Sequence, residues 1–167
     1  MTPETDLPGF DPELDLVLVR ELKAPRELLW ECWTRPEHMV HWFVPKPHQV
    51  KDIKIDLRPG GASESVFLVD GKEYPQRGVY LEVVENEKLV FTDTYTAGWK
   101  PNPEPFMTAI VSFEDLGGGR TRYVAVARHR SKEAAERHEE MGFSGGWGTV
   151  AGQLEAYAQQ LIAEGKA

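Results

Sequence analysis

The segment "GFSGGWGTVAGQLEAYAQQLIAEG" occupies residues 142–165, and its spacing predicts a long helix. Apolar residues recur at i, i+3, i+4 and i+7, which places them on one helical face: Trp147, Val150, Ala151, Leu154, Ala158 and Leu161. Gly165 stands where a glycine commonly caps a helix C-terminus. Counted from Gly148 to Ala163, the helix is roughly 24 Å long at 1.5 Å per residue. An apolar stripe of this length must be buried against a large partner.

The segment from residue 50 to residue 130 supplies that partner, because its pattern mostly has a period of two. It contains six strand candidates, "VKDIKIDL", "SESVFLVD", "RGVYLEVVE", "KLVFTDTY", "FMTAIVSFEDL" and "TRYVAVARHR". Turn signals such as "RPGG" at residues 58–61 and "DG" at residues 70–71 separate them. Strands joined by turns this short are antiparallel, so the sequence predicts an antiparallel sheet packed on the long helix.

Three shorter elements precede this sheet. "LDLVLVREL" (residues 14–22) predicts a first strand, and "APRELLWECWT" (residues 24–34) predicts a short helix with Pro25 in its first turn. Thr34 and Glu37 have the spacing of a capping box, which predicts a second short helix that Pro45 ends.

The predicted fold is therefore α+β. A curved sheet of six to seven antiparallel strands surrounds a long C-terminal helix, and two short helices follow the first strand. Residues 14–163 form one domain, and residues 1–13 are a flexible N-terminal arm because their prolines are too closely spaced for a regular element. Such a sheet around a helix leaves an apolar cavity, which is the default site for a small ligand.

Composition and charge reduce the number of partner classes and cellular locations that fit the sequence. The chain has 167 residues and a formal net charge of −8, which argues against nucleic acid or an anionic membrane as the main partner. Cys32 is the single cysteine, so no intrachain disulfide can form. With no secretory signal and no apolar run of membrane-spanning length, we expect a cytoplasmic protein. A homodimer stays open.

The aromatic stretch "TRPEHMVHWFVP" (residues 34–45) raises the question of a metal site. His38 and His41 share a helical face, Glu37 is adjacent, and His48 lies beyond two prolines. Zinc needs three or four ligands, and only two are well placed here. We therefore predict scaffold, with the two histidines on a polar face, and we expect neither a metal nor another cofactor.

Four segments in order resemble a known family. They are "ELLWECWTRPEHMVHWFVP" (27–45), "IDLRPGG" (55–61), "GVYLEVVENEKLVFT" (78–92) and "RHEEMGFSGGWGTVAGQLEAYAQQL" (137–161). The chain resembles, over residues 14–162, the Hsp90 ATPase activator homologue family, a branch of the START/Bet v 1-like (SRPBCC) superfamily that is rich in bacterial members. The resemblance implies a helix-grip fold in which the two short helices close one end of the cavity.

Several residues are candidates for contact with a ligand. Asp93 and Tyr95 share one strand face, and His129 faces opposite to Arg128, but the pattern leaves open which face is inside. Trp99 lies in the loop "AGWKPNPEPF" (residues 97–106), which is long enough to be a lid. The tryptophans near the helices complete the set: Trp33, Trp42 and Trp147.

Other motifs give no catalytic assignment. "GFSGGWG" lacks the lysine and spacing of a phosphate loop, so its glycines are interpreted as allowing a sharp helix start and a close approach to the sheet. "HEEMG" lacks the second histidine of a zincin, and Cys32 is interpreted as a buried, inert thiol. No nucleophile–base pair is evident.

Three function classes follow. The favoured one is binding, without turnover, of a small hydrophobic molecule that is aromatic or polyketide-like, held between sheet and helix. The alternative is a cyclase- or aromatase-like enzyme, which needs an acid or base aimed into the cavity. The family name also implies stimulation of a chaperone ATPase. We discount this partner because that activity belongs to members with an additional N-terminal domain, for which the chain has no room.

Overall fold

The structure is a computed structural model that describes residues 9–166. Nine strands and four helices follow one another along the described chain: β1 (Asp15–Leu22), α1 (Arg26–Thr34), α2 (Pro36–Met39), β2 (Gln49–Ile55), β3 (Ala62–Val69), β4 (Lys72–Val84), β5 (Lys88–Thr92), β6 (Tyr95–Thr96), β7 (Lys100–Pro101), β8 (Thr108–Gly117), β9 (Arg120–Arg128), α3 (Lys132–Glu140) and α4 (Phe143–Ala163).

Seven of the strands form one sheet in the order β1-β9-β8-β5-β4-β3-β2, and every neighbouring pair is antiparallel. The first strand thus pairs with the last, β9, although 97 residues (23–119) lie between them. The predicted antiparallel sheet is confirmed. The remaining two strands, β6 and β7, form a small separate hairpin.

Helix α4 packs on the concave face of this sheet. Leu154, at its centre, is fully buried, together with Ala158 of α4 and Val111 and Ala125 of the sheet. The predicted fold is therefore confirmed: it is a helix-grip fold with a long C-terminal helix. Burial of the apolar stripe holds the helix in place, because each fully buried leucine contributes roughly 1.5–3 kcal/mol.

Both ends of α4 are set by glycines in the left-handed conformation. Gly165 has a φ of 71°, and the amides of Gly165 and Lys166 donate to the carbonyls of Ile162 and Leu161 in a Schellman pattern, as the C-cap prediction requires. At the other end Gly142 is the N-cap with a φ of 94°. The helix therefore begins at Phe143, five residues before the predicted Gly148.

The predicted pair of short helices is present, but the predicted capping box is wrong. Thr34 is the last residue of α1, so its hydroxyl donates to the Trp30 carbonyl oxygen at 2.8 Å and is not free to cap α2. Arg35 is the N-cap of α2 and makes no side-chain capping bond. The second helix consequently has only four residues, Pro36–Met39, and irregular turns continue to Pro45.

Helix α3 is absent from the predicted order. Its N-cap is Ser131, whose side-chain oxygen accepts a hydrogen bond from the Ala134 amide at 3.1 Å, and Glu133 lies in its first turn. Both features are ordinary signals of a helix start. The sequence pattern does not predict this helix, because the strand pattern runs to Arg130 and α3 has few apolar residues.

The N-terminal arm predicted for residues 1–13 lies outside the described residues as far as residue 8. Its described part is hydrogen-bonded to the sheet: Arg128 donates to the Gly9 carbonyl oxygen at 3.0 Å, and the Asp11 amide donates to Asp15 at 3.0 Å. Across residues 9–166, no helix is both long enough and apolar enough to cross a membrane.

Candidate functional site

A cavity of about 820 Å³ lies between the concave face of the sheet and helix α4. The segment after α2, the loop between β5 and β8, and the junction of α3 with α4 complete its wall. Its volume is within the ordinary range of small-molecule sites, roughly 300–1,000 Å³. The helix-grip fold therefore leaves room for a ligand of considerable size.

Aromatic rings from helices, strands and connecting segments make up much of this wall. They are Trp33, Phe43, Phe67, Phe91, Phe106, Tyr123, Phe143 and Trp147. Trp33 is the centre of one group, with Phe43 edge-on at 5.5 Å and Phe91 tilted at 5.8 Å between ring centroids. Such contacts hold each ring in one orientation, so the wall is shaped before any ligand arrives.

The space beside α4 depends on a glycine. Gly146 lies on the cavity wall, and a Cβ atom added there would meet nothing within 4 Å. The interpretation that these glycines allow a close approach to the sheet is therefore wrong for Gly146 and its neighbour Gly145, beside which there is also open space. At Gly146 the missing side chain leaves room that belongs to the cavity.

Polar groups occupy a minority of the wall. Ser65 and Gln76 face each other across β3 and β4 and lie on the inner face of the sheet. Tyr123 is buried at the cavity base; burial raises the pKa of its hydroxyl, and the nearby Trp33 indole lowers it in part. The Trp33 Nε1 atom is itself buried and makes no hydrogen bond of normal geometry with a described residue.

Asp93 lies on the cavity wall, where it anchors the loop that follows β5. Its carboxylate accepts hydrogen bonds from the Phe106 amide at 2.8 Å and from the Met107 amide at 3.1 Å. Asn102 of the same loop donates to the Asp93 carbonyl oxygen at 2.9 Å and also lines the cavity. The carboxylate therefore holds the start and the end of the loop together.

Two of the predicted ligand contacts, Tyr95 and Trp99, lie away from the cavity. Strand β5 ends at Thr92, so the alternation that would have put Tyr95 beside Asp93 does not continue. Tyr95 is on the β6–β7 hairpin, edge-on to Trp99 at 5.9 Å, and Trp99 packs over Gly60 with 56% of its surface exposed. The predicted lid loop does reach the cavity, through Asn102 and Phe106.

The predicted tryptophans divide in the same way. Trp33 and Trp147 line the cavity. Trp42 is behind Trp33, with their ring centroids 5.0 Å apart, and its indole Nε1 donates to the Cys32 carbonyl oxygen at 3.1 Å. Trp42 thus supports the wall from the second layer and has no access to a ligand.

His129 is buried and reaches the cavity only through a second histidine. Its Nδ1 atom lies 2.9 Å from the Leu14 carbonyl oxygen, and its Nε2 atom lies 2.9 Å from Nδ1 of His138. His138, on α3, is the member of the pair that lines the cavity. Its ring packs against Phe106 at 4.6 Å and Phe143 at 5.3 Å between centroids.

His138 is a site residue that the sequence analysis missed, because the helix that carries it was not predicted. It is 7% exposed, and burial, followed by the neighbouring His129, lowers the pKa of His138 to about 4. The imidazole is therefore neutral near pH 7. A neutral imidazole has one donor nitrogen and one acceptor nitrogen.

Cys32 and the two histidines of the aromatic stretch make structural contacts. Cys32 is fully buried, as predicted, and burial together with the adjacent Glu31 raises the pKa of its thiol to about 12. His38 and His41 both contact Tyr157. Within residues 9–166, no cluster of three or more histidine, cysteine, aspartate or glutamate side chains has a geometry that could hold a metal ion.

The long helix gripped by an antiparallel sheet, with a cavity between them, defines a START/Bet v 1-like protein. More closely, the chain belongs to the family described as Activator of Hsp90 ATPase homolog 1-like protein, whose model matches residues 23–159. Membership of this family supports a ligand-binding fold in general terms.

Solved structures of bacterial proteins share this fold. A protein from Nitrosomonas europaea is 41% identical, with coverage of 92% of this chain and 99% of that chain and a TM-score of 0.88. One from Mycobacterium smegmatis is 27% identical, with coverage of 86% and 90% and a TM-score of 0.73. One from Arthrobacter aurescens, at 21% identity with coverage of 89% and 87% and a TM-score of 0.76, shares the fold alone. No curated protein sequence matches the chain.

Proposed function

We propose that the protein binds a small hydrophobic molecule in the cavity between the sheet and α4 and releases it unchanged. The observation that carries this proposal is the cavity itself, about 820 Å³ of space walled by aromatic rings. Burial of apolar ligand surface in such a space contributes roughly 25 cal/mol per Å² before the costs of association are subtracted. The expected ligand is aromatic or polyketide-like, because flat rings can stack on this wall.

The cavity chemistry favours binding over turnover. A histidine with a pKa of about 4 is a weak base near pH 7, and efficient general bases have pKa values close to the working pH. The Cys32 thiol is fully buried, and burial together with the adjacent Glu31 raises its pKa to about 12, so it stays protonated near pH 7. The Asp93 carboxylate already accepts backbone hydrogen bonds from Phe106 and Met107. These residues support a carrier or sequestering protein more than a cyclase-like enzyme.

The Gly146→Leu variant tests the proposal, because it places a side chain on the cavity wall. A Cβ atom at this position meets nothing within 4 Å, and the substitution removes a helical glycine, so we expect the variant to fold. Gly145→Leu is the matched control, since Gly145 is in the same helix, also has open space beside it, and is exposed.

Binding is measured with pyrene as the probe, through energy transfer from tryptophan, since Trp33 and Trp147 line the cavity. We expect saturable, micromolar binding by the parent protein and the Gly145→Leu variant, and at least tenfold weaker binding by Gly146→Leu. Equal affinities of both variants would place the bound probe elsewhere and contradict the proposal. Native mass spectrometry and product analysis complete the test: an unchanged co-purified ligand supports binding, whereas a chemically altered ligand makes the protein an enzyme.

A further inference from the structure

The two buried histidines form a chain that runs from the edge of the sheet to the cavity. The Leu14 carbonyl oxygen, His129 and His138 are joined by contacts of 2.9 Å each. Both rings are buried, at 3% and 7% exposure, and the Phe106 ring packs against both of them. The hydrogen-bonded histidine pair is therefore a well-packed part of the cavity wall.

The first member of this chain fixes the protonation of the others. A backbone carbonyl oxygen can only accept, so Nδ1 of His129 must carry a hydrogen. In the neutral pair, Nε2 of His129 is then an acceptor, and Nδ1 of His138 must donate to it. One atom remains: Nε2 of His138 carries a lone pair and no hydrogen.

That atom is left without a partner on a ring that lines the cavity. Nε2 of His138 has no hydrogen-bond partner among the residues that the structure describes. Unlike Nε1 of Trp33, it is not among the fully buried unpaired atoms. Nδ1 is turned toward His129, Phe106 and Phe143 pack on the ring, and His138 lines the cavity. A ligand that fills the cavity and offers no donor would leave this acceptor covered and unpaired, at a cost of roughly 1–3 kcal/mol, so a ligand that supplies a donor gains affinity by comparison.

We propose that Nε2 of His138 accepts a hydrogen bond from the hydroxyl group of an aromatic ligand, so that the cavity selects phenol-like molecules over the corresponding ethers and hydrocarbons. This inference rests on the proposed function, because it names the ligand class of the same cavity. A carbonyl or ether oxygen in this position would place a second acceptor against the lone pair. The aromatic body of the ligand would contact the rings of the wall.

The test compares three probes of one shape: 1-hydroxypyrene, 1-methoxypyrene and pyrene. We expect the parent protein to bind 1-hydroxypyrene about tenfold more tightly than either of the others, since one added hydrogen bond is worth about that factor. His138→Phe keeps a ring but removes the acceptor, and it should bind all three with similar affinity. His41→Phe is the control, because His41 is exposed and stacks on Tyr157 outside the cavity; it should retain the preference.

The outcomes separate the two proposals. Equal affinities of the parent protein for all three probes would overturn the hydroxyl preference and leave cavity binding standing. Failure to bind any probe would overturn both.

If His138→Phe does not fold, ¹⁵N spectra of histidine-labelled parent protein decide instead. A hydrogen on Nδ1 of His138, with a free Nε2 that shifts on addition of 1-hydroxypyrene but not of 1-methoxypyrene, supports the assignment. The opposite tautomer contradicts it.

Discussion

The Nδ1 atom of His38 lies 2.7 Å from the hydroxyl oxygen of Tyr157, and this hydrogen bond joins the short helix α2 to the long helix α4. His41 stacks on the same tyrosine, with ring centroids 5.0 Å apart and an interplanar angle of 18°. The two histidines that suggest a metal site in the sequence thus share one aromatic partner. Their role in the structure is to fasten one helix to another.

The double variant His38→Ala, His41→Ala should therefore be slightly less stable than the parent protein, and neither protein should contain a stoichiometric metal ion. We expect the free energy of unfolding to fall by about 1 kcal/mol, since one hydrogen bond and one partly exposed ring contact are removed. Pyrene binding should be unchanged, because both residues are outside the cavity. Urea unfolding measures the first effect. Stoichiometric zinc, nickel or iron in untagged parent protein, absent from the double variant, would contradict the scaffold assignment.

The buried histidine pair should make stability depend on pH. The pKa of His138 falls from 6.5 in the unfolded chain to about 4 in the folded protein, so the unfolded state binds more protons between these values. The stability that neutral His138 contributes is complete above pH 6.5 and is lost as the pH falls toward 4. Between pH 7 and pH 5 this loss is on the order of 2 kcal/mol.

Urea unfolding at pH 7, 6 and 5 checks this dependence. His138→Phe has no imidazole to protonate at this position, so its stability should change less over the same interval. A variant that loses as much stability as the parent protein would show that other groups cause the pH dependence.

The residues explain why the fold was easier to predict than the site. The sheet and α4 follow regular sequence periods: β8 alternates partly exposed and buried residues over residues 108–113, and Leu154 and Ala158 keep helical spacing. The cavity wall depends on what several elements bring together. His138 is on a polar helix with few apolar residues, and Phe106 ends an irregular loop, so neither belongs to a periodic pattern. Tyr95 lies outside the cavity wall because the alternation stops where β5 ends, and Trp99 lies outside it because its loop folds into the β6–β7 hairpin.

Because α4 is docked on the sheet, a charge introduced at its buried centre should strongly destabilise the protein. Leu154 is fully buried against the sheet, so Leu154→Asp should lower the free energy of unfolding by several kcal/mol, because the carboxylate has no partner there. Ala156→Asp introduces the same carboxylate two residues away on the exposed face of α4 and should cost less than about 1 kcal/mol. Thermal unfolding compares the two. Similar midpoints would mean that the helix is not docked.

Asp93 provides the last prediction, because its carboxylate holds a loop that forms part of the cavity wall. Asp93→Ala removes the acceptor of the Phe106 and Met107 amides, so both amides should exchange their hydrogens faster than in the parent protein. Loss of a charged acceptor from two backbone donors costs roughly 1.5–3 kcal/mol, which corresponds to at least a tenfold increase in exchange rate if the loop opens locally. Glu104→Gln, in the exposed part of the same loop, is the control and should leave exchange unchanged. Because Phe106 packs on His138, a loosened loop should also weaken 1-hydroxypyrene binding. Faster exchange spread evenly over the whole sheet would instead indicate global destabilisation and would contradict a local role for this carboxylate.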